Sequence, residues 1–276
     1  MKFVKDSEWL LKHLNDMNVR IVDCRFSLAE PQKGKIYYLQ SHLPGAVYFD
    51  LEQDLSGTVG DHGGRHPLPE VDVLVNKLEN AGINHEITVI AYDDGEGAFA
   101  ARFWWLLQYL GHENVYVLDG GFKNWLKADF PVTADIPTFK REDLRLSLRF
   151  ELLATYEEVK AAVAKQDKVL IDSREAKRYL GLEEPIDKKA GHIPGALNKP
   201  WMEGLRGGRY LPNSVQMQRF SDLDLNQPII VYCGSGVTAV PNFLALKQAG
   251  FKNVKLYVGS FSDWISYEEN KIESSS

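Results

Sequence analysis

Cysteine is scarce in this chain, with only Cys24 and Cys233 among 276 residues. Two cysteines cannot build a disulfide scaffold, and in a reducing compartment each is a free thiol. Their number and spacing also exclude a Cys-x-x-Cys metal knuckle. Long apolar runs are missing too: nothing approaches the roughly 18 to 20 residues needed to cross a bilayer. Positive charge is not in excess, since 32 Lys and Arg face 38 Asp and Glu, for a net charge of −6 and a pI near 5.7. That balance argues against bulk nucleic-acid binding, although it leaves room for a local basic site. The opening MKFVKDSEWLLKHL carries charge within its apolar stretch and lacks a small-residue cleavage pattern. It is therefore not expected to act as a signal peptide. The expectation is a cytoplasmic, globular chain with no membrane partner, long enough for one large domain or two of ordinary size.

What the chain does contain is a repetition. VRIVDCRFS (19–27) is echoed by KVLIDSREA (168–176), and HLPGAVYFD (42–50) by HIPGALNKP (192–200). TVIAYDDGEG (88–97) is echoed by PIIVYCGSGV (228–237), and GHENVYVLDGGFKNW (111–125) by GFKNVKLYVGSFSDW (250–264). Four blocks recur in the same order at a displacement of about 140 to 150 residues. That period is too long for a solenoid and indicates a tandem duplication of one domain.

Each copy alternates short β-branched runs with helical patterns. VRIVD, KVLID, ITVIAY and PIIVYC read as strands. AFAARFWWLLQYLG and AVPNFLALKQAG read as helices that end on a glycine. Strands alternating with helices predict the α/β class: two domains, each a parallel sheet with helices on both faces. The join lies within FPVTADIPTFKREDLRLSLRF (130–150), which is rich in proline and charge and has no amphipathic period. The expected domains are 1–138 and 149–276, with a linker at about 139–148. Phe103, Trp104 and Trp105 sit on an apolar helix pattern and are expected to pack in a core or domain interface.

Cys233 falls where a buried strand stops and a helix begins, the place where open α/β sheets bind ligands. Gly234 and Gly236 let the backbone there curl and approach a ligand closely. Amides in such a curl, with the positive end of the next helix, can converge on an anion. A free thiol titrates at roughly 8.5, and a cradle of that kind favours the nucleophilic thiolate. Cys24 has no glycine loop behind it and reads as a small core residue. In the first copy Asp93 stands where Cys233 does; it offers no sulfur nucleophile and reads as a cap on the next helix.

The loop CGSGVTA (233–239) resembles the active-site loop of the rhodanese superfamily, in its mercaptopyruvate sulfurtransferase branch. HIPGA (192–196), DSR (172–174), RYLG (178–181) and VGSFSDW (258–264) are similar to other marks of that family, and the resemblance spans essentially the whole chain. It implies sulfur transfer through a persulfide on Cys233, with no cofactor and no metal. The first domain would be non-catalytic. The amides of Gly234, Ser235, Gly236, Val237 and Thr238 would line the cradle. Thiosulfate-preferring relatives usually carry basic residues after the cysteine, whereas Gly234 and Ser235 stand here. The resemblance therefore favours 3-mercaptopyruvate, with thiosulfate as the alternative donor. It implies a relay of Ser235, His66 (in HPLP) and Glu52 (in DLEQ), a hydroxyl oriented by an imidazole and that by a carboxylate. Arg178 would hold the donor's carboxylate or sulfonate. The branch often has a second arginine further on; Asp187 stands there, with Lys188 and Lys189 beside it as substitutes. The implied acceptor is cyanide or a thiol, such as that of a thioredoxin-like protein.

Other readings of the same residues are weaker. Cys-x5-Arg phosphatases need arginine six places after the cysteine, where this chain has Ala239. DHGGRH (61–66) places two histidines in a glycine-rich loop with no evident third metal ligand. Arg174 reads as a structural ion pair with Asp172, and Pro241 is tolerable in a first helical turn. A persulfide carrier without turnover would show the same loop.

Overall fold

The apolar runs TVIAY and IIVY become inner strands of two parallel sheets in the computed structural model, which describes residues 1–274. The first copy contributes β1 (Val4–Lys5), α1 (Ser7–Lys12), β2 (Val19–Asp23), α2 (Lys33–Gln40), β3 (Ala46–Tyr48), α3 (Val71–Asn80), β4 (Thr88–Tyr92), α4 (Ala98–Leu110), β5 (Val115–Leu118) and α5 (Gly121–Lys127). The second contributes β6 (Leu153–Ala154), α6 (Tyr156–Lys165), β7 (Val169–Asp172), α7 (Ala176–Tyr179) and β8 (Leu197–Asn198). Two short strands, β9 (Leu205–Arg206) and β10 (Arg209–Tyr210), lie outside both sheets. Then come α8 (Asn213–Arg219), β11 (Ile229–Tyr232), α9 (Val240–Ala249), β12 (Val254–Tyr257) and α10 (Ser260–Trp264).

The sheets have strand orders β1-β5-β4-β2-β3 and β6-β12-β11-β7-β8, with parallel pairing throughout. Matching strands occupy matching places, so the duplication read from the sequence is also a duplication of topology. Helices flank each sheet, as the α/β pattern requires. In α4, Phe103, Trp104 and Trp105 are fully buried, and Trp104 Nε1 donates to the Val115 carbonyl at 3.1 Å. Both long helices stop at a glycine in the left-handed region, Gly111 (φ 93°) and Gly250 (φ 98°), which closes the last turn without a Cβ clash.

The sheets repeat one electrostatic device. At the end of β2, Asp23 takes the Arg25 guanidinium at 2.7 Å; at the end of β7, Asp172 takes Arg174 at 2.6 Å. Both pairs are buried, and each arginine also donates to a carbonyl, that of Ser41 or Gly191. Such pairs stay intact because removing one partner strands a charge away from water. Arg174 thus has the structural role its sequence context suggests. Cys24 is buried in the first unit, where burial pushes its thiol well up from the ordinary value.

The division into units departs from the linear one. The first unit holds Met1–Gly57, Pro69–Arg149 and Gly207–Tyr210; the second holds Thr58–Leu68, Phe150–Arg206 and the chain from Leu211 onward. The expected linker at 139–148 lies with the first unit, and the division falls after Arg149. Its peptide groups are tied to helix ends: Glu142 N to Glu79 O, Leu144 N to Glu79 Oε1, Ser147 N to Leu110 O and Arg149 N to Tyr109 O. Extended backbone pinned at such points holds its course without forming an element of its own. More consequential is residues 58–68, which come from the first repeat and fold with the second.

Candidate active site

Cys233 follows β11 and is 1% exposed. Its amide donates to Ser260 Oγ at 3.1 Å, and its carbonyl accepts from Phe261 N at 3.0 Å. Ser260 itself adopts φ 56°, a left-handed conformation unusual for a residue with a Cβ. The loop then runs to α9 through Gly236 (φ 72°), where a Cβ would stand 2.1 Å from the Val258 carbonyl oxygen. Only glycine fits there. Among the described residues, the amides of Gly234, Ser235, Val237 and Thr238 have no protein acceptor. Main-chain donors left uncommitted beside a buried thiol suit an anion that forms there during a reaction.

The first copy shows the same loop position filled by the chain itself. The Asp93 carboxylate accepts from the amides of Gly95 (2.9 Å), Gly97 (2.9 Å), Phe99 (3.1 Å) and Ala100 (3.2 Å). Two of its donors open α4, so Asp93 also caps that helix as its position suggested. A carboxylate with four amide donors saturates the loop and leaves no nucleophile.

Residues 58–68 are fastened to the second unit at several points. Gly63 N donates to Asp263 Oδ1 (2.7 Å) and Arg65 N to Ser262 Oγ (3.2 Å). His62 pairs with Ser266 Oγ at 2.7 Å and stacks on Tyr267. This docking places His66, 5% exposed, with Nδ1 2.8 Å from the Ser235 hydroxyl. The hydroxyl–imidazole pair expected from the sequence is thus assembled. Glu52 belongs to the first unit, its side chain is exposed, and its carboxylate has no hydrogen-bond or ion-pair partner among the described residues. The turn after β3 is held by Asp50, which accepts the Glu52 and Gln53 amides, and this directs the Glu52 side chain to solvent.

A group of arginines lies over the start of the loop. Arg178, at the end of α7, donates Nε and Nη2 to Glu184 (3.1 and 2.7 Å) and Nη2 to Asp187 Oδ2 at 2.8 Å. Asp187 also takes Nη1 of Arg65. A Cβ built on Gly234 would meet Arg65 Nη2 at 2.9 Å, Arg178 Nη2 at 3.4 Å and Asp187 Oδ2 at 3.5 Å. Both guanidiniums therefore sit against the residue that follows Cys233. Lys188 is exposed and makes no hydrogen bond or ion pair among the described residues; it lines a 290 Å³ cavity with Arg65 and Asp187. Sequence reasoning picked out Arg178 and passed over Arg65. The available signal was adjacency, because Arg65 immediately precedes His66.

Known proteins share this arrangement of sequence and fold. The family model for the rhodanese-like domain matches the chain twice, at residues 6–128 and 155–267. A "Probable 3-mercaptopyruvate sulfurtransferase" of Pseudomonas aeruginosa is 41% identical over 266 residues, covering 94% of each protein. A thiosulfate sulfurtransferase of Mus musculus is 33% identical over 270 residues, covering 94% of this chain and 90% of that one. The crystal structure of the 3-mercaptopyruvate enzyme SseA from Escherichia coli superposes with a TM-score of 0.85 at 32% identity, over 95% of this chain and all of that one.

Proposed function

Because the chain belongs to the rhodanese-like domain family, in two tandem copies, we propose that it is a sulfurtransferase that moves sulfane sulfur from 3-mercaptopyruvate through a persulfide on Cys233. The observation that carries this reading is the Ser235–His66 pair beside a buried cysteine whose loop keeps uncommitted amides. The Cys233 thiolate attacks the donor sulfur; the S–S bond forms as the C–S bond breaks, and the electron pair leaves on C3 as pyruvate enolate. Ser235, polarised by His66, supplies the proton that turns enolate into pyruvate. The persulfide proton is released, and the amides of Gly234, Ser235, Val237 and Thr238 stabilise the anionic outer sulfur. An acceptor thiolate, or cyanide, then attacks that sulfur and returns Cys233 as thiolate. Two displacements through a covalent intermediate give ping-pong kinetics.

Arg178 anchors the donor's carboxylate, and Lys188 adds positive charge at the edge of the site. Thiosulfate is the second donor. It is favoured by the likeness to the mouse enzyme and disfavoured by the neutral pair Gly234 and Ser235 directly after the nucleophile. No helix among the described residues is long and apolar enough to cross a membrane. The cytoplasm is the compartment we assign, with a thioredoxin-like protein as a fitting acceptor. The decisive test is mass spectrometry after incubation with 3-mercaptopyruvate. The protein should gain about 32 Da, one sulfur atom, and Cys233→Ser should gain none. An unlabelled wild-type protein would overturn the reading.

A further inference from the structure

We propose that the first unit, whose loop lacks a cysteine, binds a free α-amino acid with an apolar side chain, its ammonium on Asp94 and its carboxylate on Lys123. This is a second site, and it does not depend on the sulfurtransferase reading.

A 380 Å³ cavity opens in the first unit beside the loop after β4, lined in part by Phe26, Leu28, Tyr37, Asp94, Phe99 and Lys123. Its size is that of a small-molecule site. The chain passes from β2 to β3 on one side of the sheet and from β4 to β5 on the other, so the strand order diverges between β2 and β4. The cavity lies past the carboxyl ends of those two strands, where open α/β sheets take their ligands. The duplication shows what has changed there. Tyr38 donates its hydroxyl to the Ala46 carbonyl at 2.9 Å and stacks on His42; Tyr179 does the same with Ala196 at 2.6 Å and His192. Tyr37 therefore stands in the first unit where Arg178 stands in the second. Asp94 likewise takes the place of Gly234, and Lys123 that of Ser262. The guanidinium is gone, a carboxylate has been added, and four amides are spent on Asp93. The cavity is no longer built for a small anionic donor.

What it offers instead is a charge of each sign, neither of them paired. Asp94 is half-buried, and its carboxylate makes no hydrogen bond or ion pair among the described residues. Burial holds that carboxyl above its ordinary value, against the pull of Arg25. Lys123, on α5, is exposed, and its ammonium makes no hydrogen bond or ion pair among the described residues either. The Lys123 amide donates to the Asp94 carbonyl at 3.3 Å, so the two side chains start from adjoining backbone yet stand apart. Lys33, also on the wall, is taken by Glu30. An α-amino acid carries both complementary charges on one carbon: its ammonium relieves the half-buried carboxylate and its carboxylate meets Lys123. The rest of the lining is apolar. Phe26 and Phe99 pack edge to face at 5.6 Å, and Leu28 and Tyr37, both exposed, add to that wall. Such a surface suits an apolar or aromatic side chain.

The experiment titrates L-phenylalanine into the isotope-labelled full chain and follows the backbone amide signals by NMR. Phenethylamine and 3-phenylpropionate, each with one of the two charges, are the controls. L-Phenylalanine should shift the signals of Asp94, Phe99 and Lys123 saturably, with a Kd below about 1 mM, and each control should bind at least tenfold more weakly. Asp94→Asn and Lys123→Gln should each weaken binding at least tenfold, and their amide spectra report that they are folded. Lys123 is exposed on α5, so Lys123→Gln decides the question even where Asp94→Asn fails to fold. No saturable shift up to about 10 mM L-phenylalanine overturns the proposal. Undiminished binding in either folded variant overturns it too. A control that binds as tightly as L-phenylalanine does the same, since one charge would then suffice.

Discussion

His66 Nδ1 lies 2.8 Å from Ser235 Oγ across 169 residues of sequence. A hydroxyl so oriented can pass a proton to a carbon leaving group, which mercaptopyruvate needs and thiosulfate does not. Ser235→Ala should therefore lower kcat/KM for mercaptopyruvate by about a hundredfold and affect thiosulfate far less. Parallel assays of both donors decide it; equal losses would remove proton delivery from the role of Ser235.

Ser260 holds the Cys233 amide from a left-handed backbone, at a place where the first copy has Gly121 with φ 53°. A Cβ in that region costs about 1–2 kcal/mol, and the two lost hydrogen bonds, from the Cys233 amide and to the Tyr257 carbonyl, are each worth about 1 kcal/mol. In Ser260→Gly these oppose each other, so stability should change by less than about 1 kcal/mol. Persulfide loading, however, should slow because Cys233 is no longer fixed. Thermal melts beside stopped-flow loading test this; loading at the wild-type rate would show that the hydroxyl is dispensable.

Asp93 collects four amide donors in the first unit. Asp93→Ala removes a charged acceptor and leaves those amides unpaired, so it should destabilise that unit by about 2–4 kcal/mol. Asp93→Asn should lose less. Chemical denaturation is the measurement, and a midpoint within error of wild type would contradict the capping role.

His112 is fully buried, and burial, with His85 nearby, holds its pKa down to about 4 from 6.5. The unfolded chain then binds the extra proton between those values, so the stability linked to this residue is complete above pH 6.5. It declines as the pH falls toward 4, by up to about 3 kcal/mol. His112→Asn should flatten the stability profile between pH 6.5 and 4. An unchanged slope in urea midpoints across that window would refute the assignment.

The strands β2, β4, β7 and β11 were legible because each is a continuous β-branched run bounded by turn residues. The two-residue strands β1 and β6 carry no such signal; only pairing with β5 and β12 makes them strands. Within the site, the cysteine loop, Ser235 and Arg178 could be picked out by local chemistry and resemblance. Arg65 was marked only by standing next to His66; its place against Gly234 and Asp187 comes from the fold. Glu52 lies close to His66 in sequence, but the chain leaves the first unit after Gly57, between the two residues, and its carboxylate has no partner among the described residues.

The sequence alone determined the duplication, the alternation of strand and helix, and the single thiol set in a glycine loop. Each depends on neighbours along the chain, where β-branching, helical period and the freedom of glycine act locally. Tertiary structure decided that residues 58–68 fold with the second unit, bringing His66 to Ser235 and Arg65 to Asp187. Those meetings depend on hydrogen bonds and charge pairing between segments more than a hundred residues apart, and no local preference encodes them.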